Sequence, residues 1–483
     1  MTGRGKVNSL IFAFLFYLFI LILIGIWSSR FNKTIDDFLL AGRKLGAVPV
    51  AISAEASDMS GWLALGLPGL AYNFGFGAIW AAIGSAFGTL FNWTVVAKKL
   101  RHLSEKFHSL TLPDFLEDKF DDKSHAVRAI ATGIIAIFMT AYTSAQFVAG
   151  GKILSQTFGW SYEFALMIAV SIIAFYTLMG GFFAVAWTDV FQGMLIFSIM
   201  ILLPIIAFLN CGDITSNISS INPSALLPTF KYGGALMLLF ILGHISWFFG
   251  YPGQPHILTR YMAIDDEKNL KKSTLIGMIW VIVSLWGAVM IGIIGIAYLG
   301  TIDDPERVMP ILAMHALPAW AAGIVIAAIM AAIMSTADSQ LLVATSSFVE
   351  DIYRKIFRPK ASEKKLVFLS RLFVILLTIL AFFMALQGGI IYLLVAFAWG
   401  GFAASFGPVI ILALWWKGIK KEGVMAGMLS GCIAVIAWES LGFSHYIYPG
   451  IFIPGVLPGF IISFVISILV SIMQRYDDFT SKH

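Results

Sequence analysis

Long apolar stretches recur along nearly the whole chain, from residue 9 to residue 473, with only short polar breaks between them. A helix needs about 20 mostly apolar residues to cross the hydrocarbon core of a bilayer. Charged residues make up 12% of the 483 residues, against about 25% in ordinary soluble domains. The sequence therefore predicts an all-α integral membrane protein with a single transmembrane domain, residues 1–483, and leaves no room for a soluble domain.

Thirteen of these stretches have the length and composition of membrane-spanning helices. They cover residues 9–27, 47–73, 76–97, 128–150, 161–186, 188–210, 234–258, 274–300, 316–349, 366–387, 389–416, 422–442 and 450–473. The first is about as long as a full span, and no cleavage signal of the A-x-A type follows it. We therefore expect it to be a retained anchor rather than a removed signal peptide.

The lysines and arginines indicate how the chain is oriented. Cytoplasmic loops of membrane proteins are enriched in these residues. With the N-terminus outside, 27 of the 32 lysines and arginines fall on the cytoplasmic side. We expect the N-terminus outside and the C-terminus inside, in the cytoplasmic membrane of a bacterium. The net charge of +5 thus follows from the loops, and nothing calls for nucleic acid or an obligatory protein partner as a binding partner.

Two spans are interrupted by residues that disfavour a continuous helix. The second span carries a charged, hydroxyl-rich patch at residues 55–60, followed by Pro68, and the seventh carries Pro252 and Pro255 among glycines. The seventh span comes five spans after the second, and because each span reverses the direction of the chain, the two helices run in opposite directions across the membrane. Broken helices in corresponding positions of two halves are typical of inverted-repeat transporters, which bind substrate and ion at the breaks.

This pattern predicts a repeat of five plus five helices, spans 2–6 and spans 7–11. The expected divisions are residues 1–46 for an extra N-terminal helix and loop, 47–210 for the first repeat, 234–416 for the second repeat and 417–483 for extra C-terminal helices.

Ionisable side chains inside membrane spans are rare and usually functional. Five stand out here, namely Glu55, Asp58, Asp189, His244 and Asp338. A carboxylate near a helix end can simply face water, and this alternative stays open for Asp189. A buried histidine is often only a hydrogen-bonded packing residue, and this alternative stays open for His244.

The ninth span contains hydroxyl groups, Ser335 and Thr336, in a helix made otherwise of Ala, Ile and Met. Sodium prefers oxygen ligands, so these hydroxyls and the carbonyls of a broken helix form a plausible cage. Serine and threonine also pack between membrane helices without any ion. Trp247 and Tyr251 share one face of the seventh span, where they line a pocket or pack in the core.

Several motifs resemble those of the sodium/proline symporters of the sodium/solute symporter family. They occur in the family's order along nearly the whole chain: Arg43 after Ala41-Gly42, Ser57-Asp58-Met59-Ser60-Gly61-Trp62, Trp187-Thr188-Asp189, Gly253-Gln254-Pro255-His256, Met334-Ser335-Thr336 and Ala398-Trp399-Gly400-Gly401.

The resemblance implies a LeuT-like fold of about 13 helices and import of L-proline coupled to sodium, which is the coupling ion, with no other cofactor or metal. It further implies roles for individual residues. The implied sodium ligands are the carbonyls of Ala56, Met59 and Ala332 and the hydroxyls of Ser335 and Thr336; the implied substrate residues are Tyr142, Trp247, Tyr251 and Pro255; the residues tied to ion binding or coupling are Arg43, Ser57, Asp58 and Asp189.

Three buried positions depart from the family pattern. Glu55 stands where the family usually has a glycine, Asp338 where it usually has a small hydroxyl residue, and His244 where it usually has an apolar residue. A buried carboxylate needs a counter-charge or a proton, so Glu55 or Asp338 is a candidate for an extra cation or proton site. His244, one turn before Trp247, is a candidate for altering substrate selectivity.

Two other functions stay open at this point. The same fold could carry another amino acid, a betaine or a small carboxylate, coupled to sodium or to protons. An enzyme or sensor is the other class, but the sequence has no paired catalytic carboxylates, metal-spaced His/Cys cluster or phosphate-binding glycine loop in a suitable context. We therefore expect a transporter and not an enzyme.

Overall fold

The computed structural model describes residues 3–28, 35–179, 181–446 and 451–480, and these residues form helices and no β-strand. The first ten α-helices are α1 Gly3–Ser28, α2 Ile35–Leu40, α3 Ala47–Asp58, α4 Leu67–Phe74, α5 Ile79–Phe91, α6 Ala97–Lys106, α7 Leu112–Phe120, α8 Ala126–Phe158, α9 Tyr162–Met179 and α10 Phe182–Asn210. The others are α11 Ile214–Ile221, α12 Gly234–Ile245, α13 Pro255–Ala263, α14 Leu270–Leu299, α15 Val308–Ala316, α16 Ala319–Ser346, α17 Glu363–Ala385, α18 Ile391–Trp415, α19 Lys421–Ser440, α20 Phe443–Tyr446 and α21 Val456–Thr480.

Eleven helical runs within the described residues are long and apolar enough to cross a membrane. Two of the thirteen predicted spans account for the difference. The helix Tyr162–Leu178 is apolar but shorter than the other runs, and the second span is divided at its break. The all-helical membrane fold is confirmed, while the exact number of crossings and the repeat boundaries stay predictions.

Both predicted helix breaks occur. Helix α3 ends at Asp58, Met59 has non-helical angles (φ −82°, ψ 71°), and a π-helical turn begins at Trp62. Helix α12 ends at Ile245 and continues as a 3-10 helix, Ser246–Gly253, before Gln254 adopts an extended conformation and Pro255 starts α13. Proline suits that first position because it needs no hydrogen-bonded N–H there.

The predicted boundary between spans five and six was wrong. Helix α9 ends at Met179 and α10 begins at Phe182, so Trp187 and Asp189 belong to the second turn of α10 rather than to its first residues. Gly181 is extended and lies just before α10, whereas Gly180 lies outside the described residues. Helix α10 therefore carries Asp189 into the protein, where it is completely buried.

The central helices are buried and the peripheral ones face the surroundings. Within the apolar stretch of each membrane-length helix, 83% of residues are buried in α18 and 78% in the run that begins with α16, but only 22% are buried in α1. Helix α16 contacts α8, α1, α10 and α3. The site residues on α3 and α16 are thus held in the middle of the molecule, while α1, α17, α19 and α21 expose large apolar side chains, as lipid contact requires.

Candidate functional site

Four of the five predicted sodium ligands come together between α3 and α16. The hydroxyl Oγ of Ser335 donates to the carbonyl of Ala56 at 2.8 Å and lies 3.2 Å from the carbonyl of Ala332. The hydroxyl of Thr336 lies 3.2 Å from the same Ala332 carbonyl. All are completely buried. Two hydroxyl and two carbonyl oxygens in contact form the kind of ligand set that a hard cation prefers.

The break in α3 explains why the Ala56 carbonyl is free to join this group. In an unbroken helix it would accept from the N–H of Ser60. That N–H instead donates to the carbonyl of Asp58 at 2.9 Å, and the next free N–H, on Gly61, donates to Oε1 of Gln146 at 2.9 Å. Met59, the fifth predicted ligand, lies at the break itself and is completely buried.

An aromatic cluster lies beside the break. The ring of Trp247 is 4.8 Å from Trp62 and 4.7 Å from Trp399, measured between centroids, and its Nε1 donates to the hydroxyl of Tyr392 at 3.0 Å. Tyr251 packs edge-on against Trp399 at 5.5 Å. Trp247 and Tyr251 therefore both contact Trp399, in a cluster that also includes Trp62 and Tyr392.

Asp58 lies with the aromatic residues rather than with the hydroxyl groups of α16. Its side chain interacts with Tyr251 and Trp399 and is 5% exposed. The residue is the last of α3, so the break turns its carboxylate out of the helix. The Asp58 carboxyl group therefore offers oxygen acceptors beside the aromatic rings.

Asp189 is the centre of a buried polar network. Its Oδ2 accepts from Ser53 at 2.6 Å, from Ser57 at 3.1 Å and from Arg260 Nη2 at 3.2 Å. The possibility that Asp189 merely faces water is thereby removed. Ser57 also contacts Ser339 at 3.0 Å, so the network connects α3, α10 and α16.

Arg260 is the residue that sequence reasoning misplaced. We had counted it among the cytoplasmic loop charges, but it lies in α13 and is completely buried. It donates to Ser339 at 2.6 Å and to the carbonyl of His256 at 2.9 Å, besides its ion pair with Asp189. The sequence signal that could have indicated a buried arginine was Asp189, because a buried carboxylate requires a cation nearby.

Asp338 and Glu55 lie in different places. Asp338 is close enough to Asp189 and Arg260 for their charges to interact, and its Oδ2 has no hydrogen-bond partner among the described residues. Glu55 faces away from this network, accepting from Trp93 Nε1 at 2.8 Å and approaching Gly277 of α14. By these contacts, the two candidates for an extra cation or proton site do not adjoin each other.

Tyr142, Pro255 and His244 mark the margins of the site. The hydroxyl of Tyr142 donates to Ser60 at 3.4 Å, and Pro255 begins α13. His244 packs against Phe240, whose carbonyl is 2.8 Å from its Nδ1, and lines an outer cavity rather than the aromatic cluster.

Arg43 stands apart from the hydroxyl cluster, near the end of the molecule predicted to be cytoplasmic. It donates to the carbonyls of Met262 at 2.6 Å, Ser104 at 3.1 Å and Ser109 at 2.7 Å. Burial, followed by the neighbouring Arg101, lowers the pKa of Arg43 to about 10. It therefore remains charged at neutral pH and ties α6 and α13 to the segment after α2.

The two ends of the site differ in access. A cavity of ≈ 460 Å³ opens above the aromatic cluster and is lined by Gly66, Asn73, Lys152, His244, Glu306 and Tyr392 among others. On the opposite side, the cavity that reaches from Pro255 to Leu39, Leu110, Ser346 and Ser347 measures only ≈ 20 Å³, room for about one water. The first side therefore has a large cavity, and the second, here called the closed side, has a very small one.

A buried ion-pair group, here called the inner ion-pair group, lies next to the closed side. Arg128 at the start of α8 contacts Asp114 at 2.7 Å, Glu117 at 2.8 Å and Asp351 at 2.6 Å. Asp351 also accepts from the hydroxyl of Thr111 at 2.7 Å. The side chain of Arg128 is 1% exposed, so these contacts join α7, α8 and the π-helical end of the α16 run in a water-poor setting.

Comparison with known proteins was made on both sequence and structure. The family model described as "Sodium:solute symporter family" matches residues 38–431. The high-affinity proline transporter PutP of Bacillus subtilis (strain 168) is 42% identical over 444 residues, covering 90% of this chain and 93% of the relative. The sodium/proline symporter of Escherichia coli (strain K12) is 39% identical over 449 residues, covering 90% and 89%.

Two further proteins extend the comparison. The osmoregulated proline transporter OpuE of Bacillus subtilis (strain 168) is 38% identical over 450 residues, covering 91% of each chain. Among solved structures, a Na+-coupled sialic acid symporter in a substrate-bound outward-open state superposes with a TM-score of 0.79 at 19% identity, covering 96% of this chain and 98% of that one. At that identity the likeness shows a common fold.

Proposed function

The chain belongs to the sodium:solute symporter family, and on that premise we propose that it imports L-proline across the cytoplasmic membrane together with sodium ions. The observation that carries the proposal is the 42% identity to a proline transporter over 90% of the chain. The contact of Ser335 with the Ala56 carbonyl at the α3 break supports it, because this contact brings oxygen ligands to the place where inverted-repeat transporters bind their ions.

In this proposal Ala56, Met59, Ala332, Ser335 and Thr336 hold sodium, and the aromatic cluster with Tyr142 and Pro255 receives proline. Aromatic walls suit the apolar pyrrolidine ring. Sodium between α3 and α16 would stabilise the broken helix and so tighten proline binding. Linkage then requires proline to tighten sodium binding by the same factor.

We further propose the membrane orientation given by the loop charges, with the N-terminus outside and the C-terminus inside. The open cavity with Lys152 and Glu306 then faces outward, and the inner ion-pair group faces the cytoplasm. Alternating access would close the first and open the second.

Uptake of labelled proline tests the transport function. Cells lacking their own proline carriers should accumulate proline when they express this chain in sodium medium, and accumulation should fall to background when potassium replaces sodium. Unlabelled amino acids, a betaine and small carboxylates added as competitors separate the proposal from the other cargoes. Correct membrane insertion without sodium-dependent proline uptake would reject it.

An extra cation or proton is the second part of the proposal, and we place it at Asp338 rather than at Glu55. Asp189 forms an ion pair with the guanidinium of Arg260, and Asp338 lies close enough for its charge to interact with both, so two carboxyl groups stand here beside one guanidinium. One Oδ atom of each aspartate has no hydrogen-bond partner among the described residues. Glu55 lies elsewhere: its carboxylate accepts from Trp93 Nε1, approaches Gly277 and is near enough to Asp58 for their charges to interact.

We expect Asp338→Ser to remove one coupled ion while proline uptake persists. The measurement is uptake in vesicles with imposed sodium and pH gradients, where the unaltered protein should respond to a second sodium ion or to a pH gradient and Asp338→Ser should not. Glu55→Gly is the matched control and should keep that response. Coupling to one sodium with no pH response, unchanged in the variant with both substitutions, contradicts this part of the proposal.

A further inference from the structure

Buried hydrogen-bonding groups without partners gather around the break in α3. Neither ring nitrogen of His256 has a partner among the described residues, and the same holds for Nε2 of Gln146 and Nε1 of Trp62. These side chains are 0%, 0% and 3% exposed, respectively. Leaving such a group unpaired costs roughly 1–3 kcal/mol, so several of them together indicate a place where a bound molecule supplies the partners.

Contacts through Tyr142, Ser60 and Gly61 link these groups around the break. The amide of Gln146 is fixed by its other end, because Oε1 accepts from the N–H of Gly61 at 2.9 Å. Trp62 is the next residue. The ring of His256 lies edge-on to Tyr142 at 6.1 Å, and the hydroxyl of Tyr142 reaches Ser60 at 3.4 Å.

His256 also lies in the first turn of α13, a nine-residue helix that begins at Pro255. The N-terminal end of a helix carries partial positive charge and favours anions. The unpartnered indole N–H of Trp62 and amide N–H of Gln146 are further donors around the break. The region is therefore suited to an anionic group with oxygen acceptors, such as a carboxylate.

Asp58 supplies an acceptor for the positively charged ammonium group of a substrate. Its carboxylate interacts with Tyr251 and Trp399 inside the aromatic cluster, so negative charge stands there while donors stand at His256 and Gln146. A zwitterion that fills the space has an ammonium group for the first and a carboxylate for the second.

We propose that His256 and Gln146, at the N-terminal end of α13, bind the carboxylate of an imino-acid or amino-acid substrate whose ammonium group is directed to Asp58. This inference rests on the proposed function and adds to it the groups that read the two charges of the substrate. His256 binds as a neutral imidazole, one nitrogen donating to the carboxylate. The other nitrogen is then an acceptor.

The chain contains a control in α9. Thr177 is also a buried polar residue, and its hydroxyl donates to the carbonyl of Ile173 in its own helix at 2.8 Å. Its replacement changes a buried hydrogen-bonding group without touching the donors at the break.

The test compares proline with prolinamide, which keeps the ring and the ammonium group but lacks the negative carboxylate. In His256→Leu we expect the KM for proline to rise roughly 10- to 100-fold, the usual worth of a hydrogen bond to a charged group. The inhibition constant of prolinamide should change by no more than about 3-fold, because prolinamide lacks the negative charge that this hydrogen bond recognises. The preference for proline over prolinamide should therefore collapse, should recover in part in His256→Gln, and should stay unchanged in Thr177→Val.

Each outcome decides the inference. A preserved preference in His256→Leu, or an equal loss for both compounds, overturns it while leaving sodium-dependent proline uptake intact in the unaltered protein. Absence of such uptake in the unaltered protein overturns the proposed function and this inference with it. If His256→Leu does not reach the membrane, Gln146→Leu is judged by the same ratio.

Discussion

Replacing both Ser335 and Thr336 by alanine is expected to reduce sodium-dependent proline uptake to the background of cells without the protein. Ser335 donates to the carbonyl freed by the α3 break, and both hydroxyls meet the carbonyl of Ala332. Losing one oxygen that contacts a cation should cost about 10- to 100-fold in affinity. With both oxygens lost, sodium should bind too weakly to occupy the site at ordinary sodium concentrations, and proline uptake should disappear as a result.

The measurement is initial uptake across a range of sodium concentrations for each single variant and for the double variant. The single variants should show a raised sodium requirement, with the maximal rate approached in concentrated sodium. Ser370→Ala is the matched control, because this buried hydroxyl only bonds to its own helix, at the carbonyl of Leu366. Normal sodium dependence in the double variant would show that the ion binds elsewhere.

Removing the charge of Arg128 is expected to destabilise the closed side of the protein strongly. Arg128→Gln leaves Asp114, Glu117 and Asp351 close together without their guanidinium. Breaking a buried ion pair in this way costs about 3–5 kcal/mol. A two-state equilibrium moves from about 1:99 to 99:1 over roughly 5.5 kcal/mol, so the loss should shift the molecule far toward opening on that side.

Cysteine labelling measures this shift. Ser346 lines the narrow cavity on the closed side. In inside-out vesicles, Ser346→Cys, in a background with Cys211 and Cys432 replaced, should react with a membrane-impermeant maleimide more than about 10-fold faster when Arg128→Gln is added. Lys123→Gln is the control, since the exposed pair of Lys123 with Asp121 is worth little. Equal labelling rates in both variants would contradict a closing role for Arg128.

The sequence was sufficient for the features that depend on local chemistry. Prolines 252 and 255 and the hydroxyl-rich patch at the end of α3 predicted both helix breaks, because each disfavours a continuous helix wherever it occurs. Ser335 and Thr336 were candidates because they are oxygen ligands in an apolar helix.

The features that depend on distant pairing could not be predicted. Arg260 was assigned to a loop because nothing near it in the chain shows that Asp189, 71 residues away, is its partner. Trp399 was known only as part of a motif, and its contact with Trp247 joins segments far apart in the chain. Glu55 and Asp338 looked equivalent because sequence gives no side-chain direction, yet the fold directs one to Trp93 and the other toward Arg260.

The choice of partners for Arg43 has a consequence for cells whose internal salt concentration changes. Its guanidinium bonds to three backbone carbonyls and to the hydroxyl of Ser104, all neutral groups in direct contact. Mobile ions weaken attraction between exposed charges but act much less on partly buried contacts at hydrogen-bond distance. The contacts of Arg43 that join α6, α13 and the segment after α2 should therefore be almost equally strong in dilute and in concentrated cytoplasm, including during osmotic stress.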